Sequence, residues 1–220
     1  MLWVEGAAVS FGATRILREV TLAVETGQRV ALVGRNGAGK TTTLRAIMGL
    51  VAADARRFEL DGTDLKTVPA HRRTGLGIGY APEERNLFGP FTVQDNILLP
   101  AQVLKLPTAE IARRLDRVFA VLPELRDLAG RKAAGLSGGQ GKMVALGRAL
   151  MVGTKLLLLD EPFQGLAPAL ALRYAEALSR LKAAEPGLAI LITESNPALL
   201  KPLVESAYAI ERGEVVVTSL

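Results

Sequence analysis

The sequence predicts an α/β fold: a parallel sheet with flanking helices, an antiparallel β subdomain at the N-terminus, and a helical insert at roughly residues 85–150. Three observations point there. Leu156-Leu157-Leu158-Leu159 and Leu188-Ala189-Ile190-Leu191-Ile192 are wholly apolar runs, the texture of strands buried on both faces. Between them Leu170, Tyr174, Ala177, Leu178 and Leu181 recur at helical spacing, and buried strands alternating with helices imply parallel pairing. The N-terminal segment instead alternates with a period of two, as half-buried antiparallel strands do.

In chain order, Trp3 to Phe11 and Val20 to Glu25 read as those antiparallel strands, closed by a turn at Thr26-Gly27. Arg29-Val30-Ala31-Leu32-Val33 is a short buried strand. A glycine-rich turn at residues 34–39 follows, then a helix from Lys40 to about Leu50. Gly75-Leu76-Gly77-Ile78-Gly79 lacks a following helical pattern and reads as turn and strand edge. Ile111, Leu115, Val118 and Leu122 mark a helix over Thr108–Leu122, with Thr108 as its cap after Pro107. Ala207–Glu211 and Glu214–Thr218, joined by Arg212-Gly213, form a closing hairpin. No internal repeat or long linker divides the 220 residues, so residues 1–220 are expected to form one domain carrying the insert.

Composition narrows the chemistry. With 49% apolar and 22% charged residues the chain should bury a core rather than stay disordered. It has no cysteine, so disulfides, thiolate metal sites and cysteine nucleophiles are excluded. The single histidine, His71, excludes a multi-histidine metal cluster and is expected in a surface or structural role. The net charge of +5 is spread over separated pairs, Arg56-Arg57, Arg72-Arg73 and Arg113-Arg114, without interleaved aromatics. That reads as a solvated basic surface, and no nucleic-acid partner is expected. No apolar run approaches the roughly 18 residues of a membrane span, and the N-terminus carries no secretory signal pattern, so any membrane role is expected to be peripheral.

Gly34-Arg35-Asn36-Gly37-Ala38-Gly39-Lys40-Thr41 fits G-x-x-x-x-G-K-[ST] and lies between a strand and a helix, where that motif acts. The glycines let successive backbone N–H groups turn toward an anion, and the helix beginning near Lys40 aims its positive end at the same point. A polyphosphate suits that hollow. Lys40 is expected to bridge the β- and γ-phosphates and the Thr41 hydroxyl to ligate an accompanying Mg²⁺, with Thr42 and Thr43 supporting the helix start. At the end of the strongest buried strand come Asp160 and Glu161, where an open parallel sheet places its ligand crevice. Asp160 is expected to hold Mg²⁺, through water, and Glu161 to polarise the water that attacks the γ-phosphorus.

Between the insert and Met143–Leu150 lies Leu136-Ser137-Gly138-Gly139-Gln140, a serine and two glycines at a helix start, which is a second anion-seeking arrangement. The ordered set of phosphate cradle, this pentapeptide and the Asp160-Glu161 strand end followed by Gly165-Leu166-Ala167-Pro168 resembles the ATP-binding subunits of ABC transporters along the whole chain. The resemblance implies a P-loop NTPase core and an ATPase bound to ATP and Mg²⁺. It also implies a head-to-tail pair in which each nucleotide lies between one subunit's cradle and its partner's Ser137, Gly138, Gly139 and Gln140. Both an identical and a different second subunit are compatible with this reading, and Phe11 matches the family's adenine-stacking position. Membrane permease subunits are implied as partners, with the chain on the cytoplasmic side of the membrane.

More narrowly, Gly77–Phe88, Leu166-Ala167-Pro168 and Ile210–Glu214 look like the branched-chain amino-acid uptake group and its urea and amide relatives, which work with an external solute-binding protein. Two departures stand out. Glu83 takes the place of the family's glutamine, and a carboxylate can still bind Mg²⁺ or water but cannot donate hydrogen bonds as an amide does. Ser195 takes the place of the histidine that contacts the γ-phosphate, and a neutral, shorter hydroxyl should stabilise the transition state less. Hydrolysis in a homodimer is therefore expected to be slow, and to be supported fully by a nonidentical subunit that carries the histidine. Two other functions compete: a soluble ATP-gated regulatory clamp, which the single cassette without sustained heptads disfavours, and a nonhydrolytic nucleotide-holding partner, which Glu161 disfavours.

Overall fold

In the computed structural model, which describes residues 1–220, the continuous apolar texture of the central strands has a direct cause. Strands β3 (Arg29–Val33), β7 (Leu156–Asp160) and β8 (Ala189–Glu194) pair in parallel, with β6 (Ile78–Ala81) outside β7. Alternate residues of β7 enter two different cores. Leu157 and Leu159 face helices α3 (Val93–Val103), α4 (Thr108–Val121), α6 (Gly138–Val152) and α7 (Pro168–Ala184). Leu156 and Leu158 face α1 (Lys40–Ile47) and the N-terminal strands. Neither side of the strand meets water, so neither side is polar.

The N-terminal strands β1 (Leu2–Phe11) and β2 (Thr14–Val24) pair antiparallel, and β4 (Arg57–Leu60) and β5 (Thr63–Asp64) extend that layer. The closing hairpin β9 (Ser206–Glu211) and β10 (Glu214–Thr218) stands between the two sheets. Strand β9 pairs in parallel with β3, and β10 touches β2 through the single pair Glu214/Glu19. The full order is β5-β4-β1-β2-β10-β9-β3-β8-β7-β6. Short helices α2 (Ala70–Arg73) and α5 (Glu124–Asp127) fill connections, and α3 to α6 all lie between β6 and β7 in the chain. No helix is long and apolar enough to cross a membrane.

Several expectations change. Strand β2 begins at Thr14 rather than near Val20, because Thr14, Arg15 and Leu17 already pair with Phe11, Ser10 and Val9 of β1; the exposed Thr14, Arg15, Arg18 and Glu19 hide this part from an apolar pattern. Helix α1 stops at Ile47, before Leu50. Gly49 adopts φ +72, and the N–H groups of Gly49 and Leu50 fold back on the carbonyls of Ala46 and Arg45, a left-handed helix stop. Thr108 is the first residue of α4 and not its cap; Pro107 holds that position and no side chain caps the helix. The basic pairs are not all solvated: Arg73 is buried and donates to the carbonyls of Ala46, Ile47, Leu65 and Val68. Arg114 likewise donates to the Met151 carbonyl near the end of α6. These guanidiniums satisfy helix-end and loop carbonyls that would otherwise be orphaned. His71 is exposed on α2, as expected.

Candidate functional site

The site lies where β3, β7 and β8 end. The turn from β3 into α1 needs glycine for shape. Gly39 sits at φ +116, and a Cβ there would lie 2.6 Å from Leu17 Cδ2. A Cβ on Gly34 would lie 2.4 Å from the Ile210 carbonyl oxygen. The hairpin strand β9 thus presses on the turn from outside, and within the turn the Gly34 and Ala38 N–H groups donate to the Glu194 and Arg35 carbonyls.

Lys40 opens α1 and is 4% exposed. Its ammonium donates to the carbonyls of Gly34 (2.7 Å) and Arg35 (3.1 Å) and to Ser195 Oγ (3.0 Å). It also forms an ion pair with Glu161 Oε1 at 2.9 Å. Ser195 Oγ accepts from Lys40 and has one proton to share between Glu161 Oε1 (2.8 Å) and Asn36 Oδ1 (2.6 Å). The residue standing at the histidine position is therefore the centre of the polar network, in contact with both Lys40 and Glu161. The second oxygen of Glu161, Oε2, is buried without a hydrogen-bond partner. Such an atom marks a place that a further donor is meant to fill.

Asp160 is gripped by three hydroxyls. Thr193 Oγ1 and Thr41 Oγ1 donate to Oδ1 at 2.9 and 3.1 Å, and Tyr80 OH donates to Oδ2 at 3.1 Å. Burial pushes this carboxyl above its usual range, and the hydroxyls pull it back. Tyr80 is raised as well, by its own burial and by the Asp160 charge. Thr43 Oγ1 donates to the Gly39 carbonyl and steadies the first turn of α1. Together Phe11, Ile16, Asn36, Gly37, Gly39, Lys40, Thr41, Thr42, Glu83, Glu161 and Gln164 line a cavity of about 380 Å³. Phe11 is 54% exposed at its rim rather than packed in the core.

Mg²⁺ fits these donors. The Thr41 hydroxyl and the Asp160 carboxylate stand side by side as hard oxygen ligands, and Glu83 faces the same cavity. No group of three or more carboxylate, histidine or cysteine side chains is gathered anywhere, so phosphate oxygens and water would complete the ion's shell.

The pentapeptide is outside this cavity. Ser137 caps α6: its Oγ accepts from the Gln140 N–H (3.2 Å), and Gln140 Oε1 accepts from the Ser137 N–H (3.0 Å). This reciprocal cap leaves the Ser137 proton and the Gln140 amide N–H₂ free to face outward. Ser137 and Gly138 are exposed, Gly139 is buried and Ala38 is tucked under the cradle turn. The glycine-rich turn and the capped pentapeptide are thus two separate features of one chain.

Sequence reasoning passed over four residues here. Thr193 and Tyr80 hold Asp160; a threonine at the end of an apolar strand was the available signal for the first. Glu194 is buried, accepts from the Phe163 N–H at 2.8 Å, and is pushed up to about 7, mainly by burial and also by the nearby Glu161 charge. Lys142, a cation among the apolar residues of α6, donates to the Glu161 main-chain carbonyl at 2.6 Å.

The ABC transporter family matches residues 17–164. A probable ABC transporter ATP-binding protein from Azorhizobium caulinodans is 40% identical over 213 residues, covering 96% of this chain and 74% of that protein. The lipopolysaccharide export system ATP-binding protein LptB of Escherichia coli is 34% identical over 220 residues, covering 98% of this chain and 88% of that protein. A solved ATP-binding subunit of an ABC transporter superposes with a TM-score of 0.86 at 29% identity, covering all of this chain and 90% of that one. With the cradle at the tip of β3, the acid pair at the tip of β7 and the capped pentapeptide on α6, the chain belongs to the ABC transporter family, as an ATP-binding ATPase subunit.

Proposed function

We propose that this subunit binds ATP with its phosphate tail in the Gly34–Thr41 hollow and hydrolyses it with Glu161 as general base. The carrying observation is that Lys40 and Glu161, both buried, and the exposed Ser195 and Asn36 form one hydrogen-bonded network, of which Asn36, Lys40 and Glu161 line the same cavity. Lys40 exchanges its ion pair with Glu161 for the β- and γ-phosphates, and the backbone N–H groups of Asn36, Gly37 and Gly39, which line the cavity, take the remaining charge, joined by that of Ala38 if it leaves the Arg35 carbonyl. Freed of Lys40, Glu161 accepts a proton from a water whose oxygen attacks the γ-phosphorus. The bond from the bridging oxygen to that phosphorus breaks, ADP leaves with the electron pair, and the proton passes on to inorganic phosphate. Bound Mg²⁺, held by Thr41 and Asp160 with Glu83 near, would neutralise charge on the phosphate oxygens. Phe11 at the rim stacks on the base, and Ser137, Gly138, Gly139 and Gln140 of a second ATP-binding subunit close the site.

Coupled to membrane permease subunits on the cytoplasmic face, this cycle drives transport. The relatives named above include a lipopolysaccharide export subunit, which points to export rather than uptake of branched-chain amino acids, urea or amides. The external solute-binding protein goes with that uptake reading. The permease sets the cargo, and its identity is read by purification from native membranes.

Phosphate release tests the assignment. Glu161→Gln is expected to keep ATP binding and lose roughly 100-fold or more in turnover, and Lys40→Ala to lose ATP binding. Turnover by Glu161→Gln at the wild-type rate would remove Glu161 from the mechanism.

A further inference from the structure

Glu161 is held in an unfavourable backbone conformation. Its φ is +45, the left-handed region, which costs a residue with a side chain of order 1 kcal/mol or more unless its surroundings enforce it. Two elements enforce it. From β8, Thr193 accepts the Glu161 N–H with both its carbonyl and its hydroxyl oxygen, each at 3.1 Å. From α6, Lys142 Nζ donates to the Glu161 carbonyl at 2.6 Å.

Lys142 makes no other hydrogen bond; burial lowers its pKa, and the charges of Glu194, Glu83 and Glu161 oppose that shift without pairing with it directly. Its helix neighbours Gly141, Met143, Val144, Ala145 and Leu146 are all buried, so half-burying an ammonium there costs desolvation that an apolar residue would avoid. The single bond that this cation makes goes to the main chain of the proposed base. The same helix begins, five residues earlier, at the Ser137 cap, the end that faces a second subunit's nucleotide. Lys142 also lines a groove with Glu83, Gly138, Gln164 and Gly165, so its side chain borders open space rather than a packed wall on that side.

We propose that Lys142 is a positioning residue for hydrolysis: it fixes the strained Glu161 peptide from α6, and so links occupancy of the pentapeptide end to the aim of the carboxylate in the same chain. This rests on the reading of Glu161 as the base. A nucleotide drawn against Ser137 shifts or stiffens α6, Lys142 carries that to the Glu161 carbonyl, and the carboxylate is aligned only when the other half-site is filled. In a pair with two nucleotides, each chain then senses its partner's ATP before committing its own.

The test uses Lys142→Met, which keeps length and removes the donor, with Lys142→Arg as the conservative variant. Replacing a half-buried cation with a similar apolar chain is not expected to destabilise the fold, so the Tm of Lys142→Met should hold or rise. The expected result is a kcat about tenfold lower with the KM for ATP within twofold of wild type. Lys142→Arg should restore most of the rate, and Lys142→Met should cause no further loss in a Glu161→Gln background. An unchanged kcat in Lys142→Met would overturn the proposal, as would a lower kcat matched by a lower Tm, or a full tenfold loss added to Glu161→Gln. Wild-type turnover by Glu161→Gln itself would instead overturn the assignment of the base.

Discussion

Ser195 concentrates the chemistry of this site. Its hydroxyl touches Lys40, Glu161 and Asn36 at 3.0, 2.8 and 2.6 Å, so it organises the nucleotide-free network, yet it brings no positive charge to a γ-phosphate. Ser195→His is expected to raise the phosphate release rate about tenfold in a homodimer with ATP affinity little changed, since a charged donor at a developing oxyanion is worth more than a neutral one. An unchanged or lower rate would show that this hydroxyl already suffices. Lys40→Ala carries a structural cost as well: it strands the buried Glu161 charge, and removing one partner of a buried pair typically costs about 3–5 kcal/mol. Its ATP binding must be measured well below its melting temperature. At this scale the site was legible because phosphate chemistry demands particular residues at particular spacings, which is why Lys40, Thr41, Asp160 and Glu161 converge as expected. Thr193, Tyr80, Glu194 and Lys142 were not legible, because each acts on a main-chain group or carboxylate more than 18 residues away in sequence.

The elements of the site are shaped by close approach. Gly39 both starts α1 and lies under Leu17 of β2 and Ile210 of β9, so the cradle is clamped between two sheets. Gly39→Ala is expected to lower the Tm by about 4–8 °C, a loss near 2 kcal/mol from a left-handed backbone and a 2.6 Å contact, and to weaken ATP binding. Gly187→Ala, which meets open space, is the control and should leave both unchanged. Strands β3, β7 and β8 and helices α4 and α7 were readable from period and apolarity. The short strands β4 and β5 were not, having four and two residues, and the early part of β2 was hidden by exposed charges. The stop of α1 turned on Gly49, whose left-handed turn outweighs the apolar residues Leu50 and Val51 beyond it.

In the whole molecule the two phosphate-seeking features do not meet within one chain: the cradle faces its own cavity, and the Ser137 cap stands on another surface of the insert with its free donors outward. Under the proposed function a second ATP-binding subunit set head-to-tail would bring them together, and the proposed Lys142 contact would then tie each subunit's two half-sites into one cycle. The measurement that bears on this most directly is the mass in solution of the Glu161→Gln variant, by size exclusion with light scattering, with and without Mg-ATP. Twice the 23.4 kDa chain mass with Mg-ATP, returning to the single-chain mass without it, is the result expected from ATP sealed between two copies. A single-chain mass at saturating Mg-ATP would contradict it.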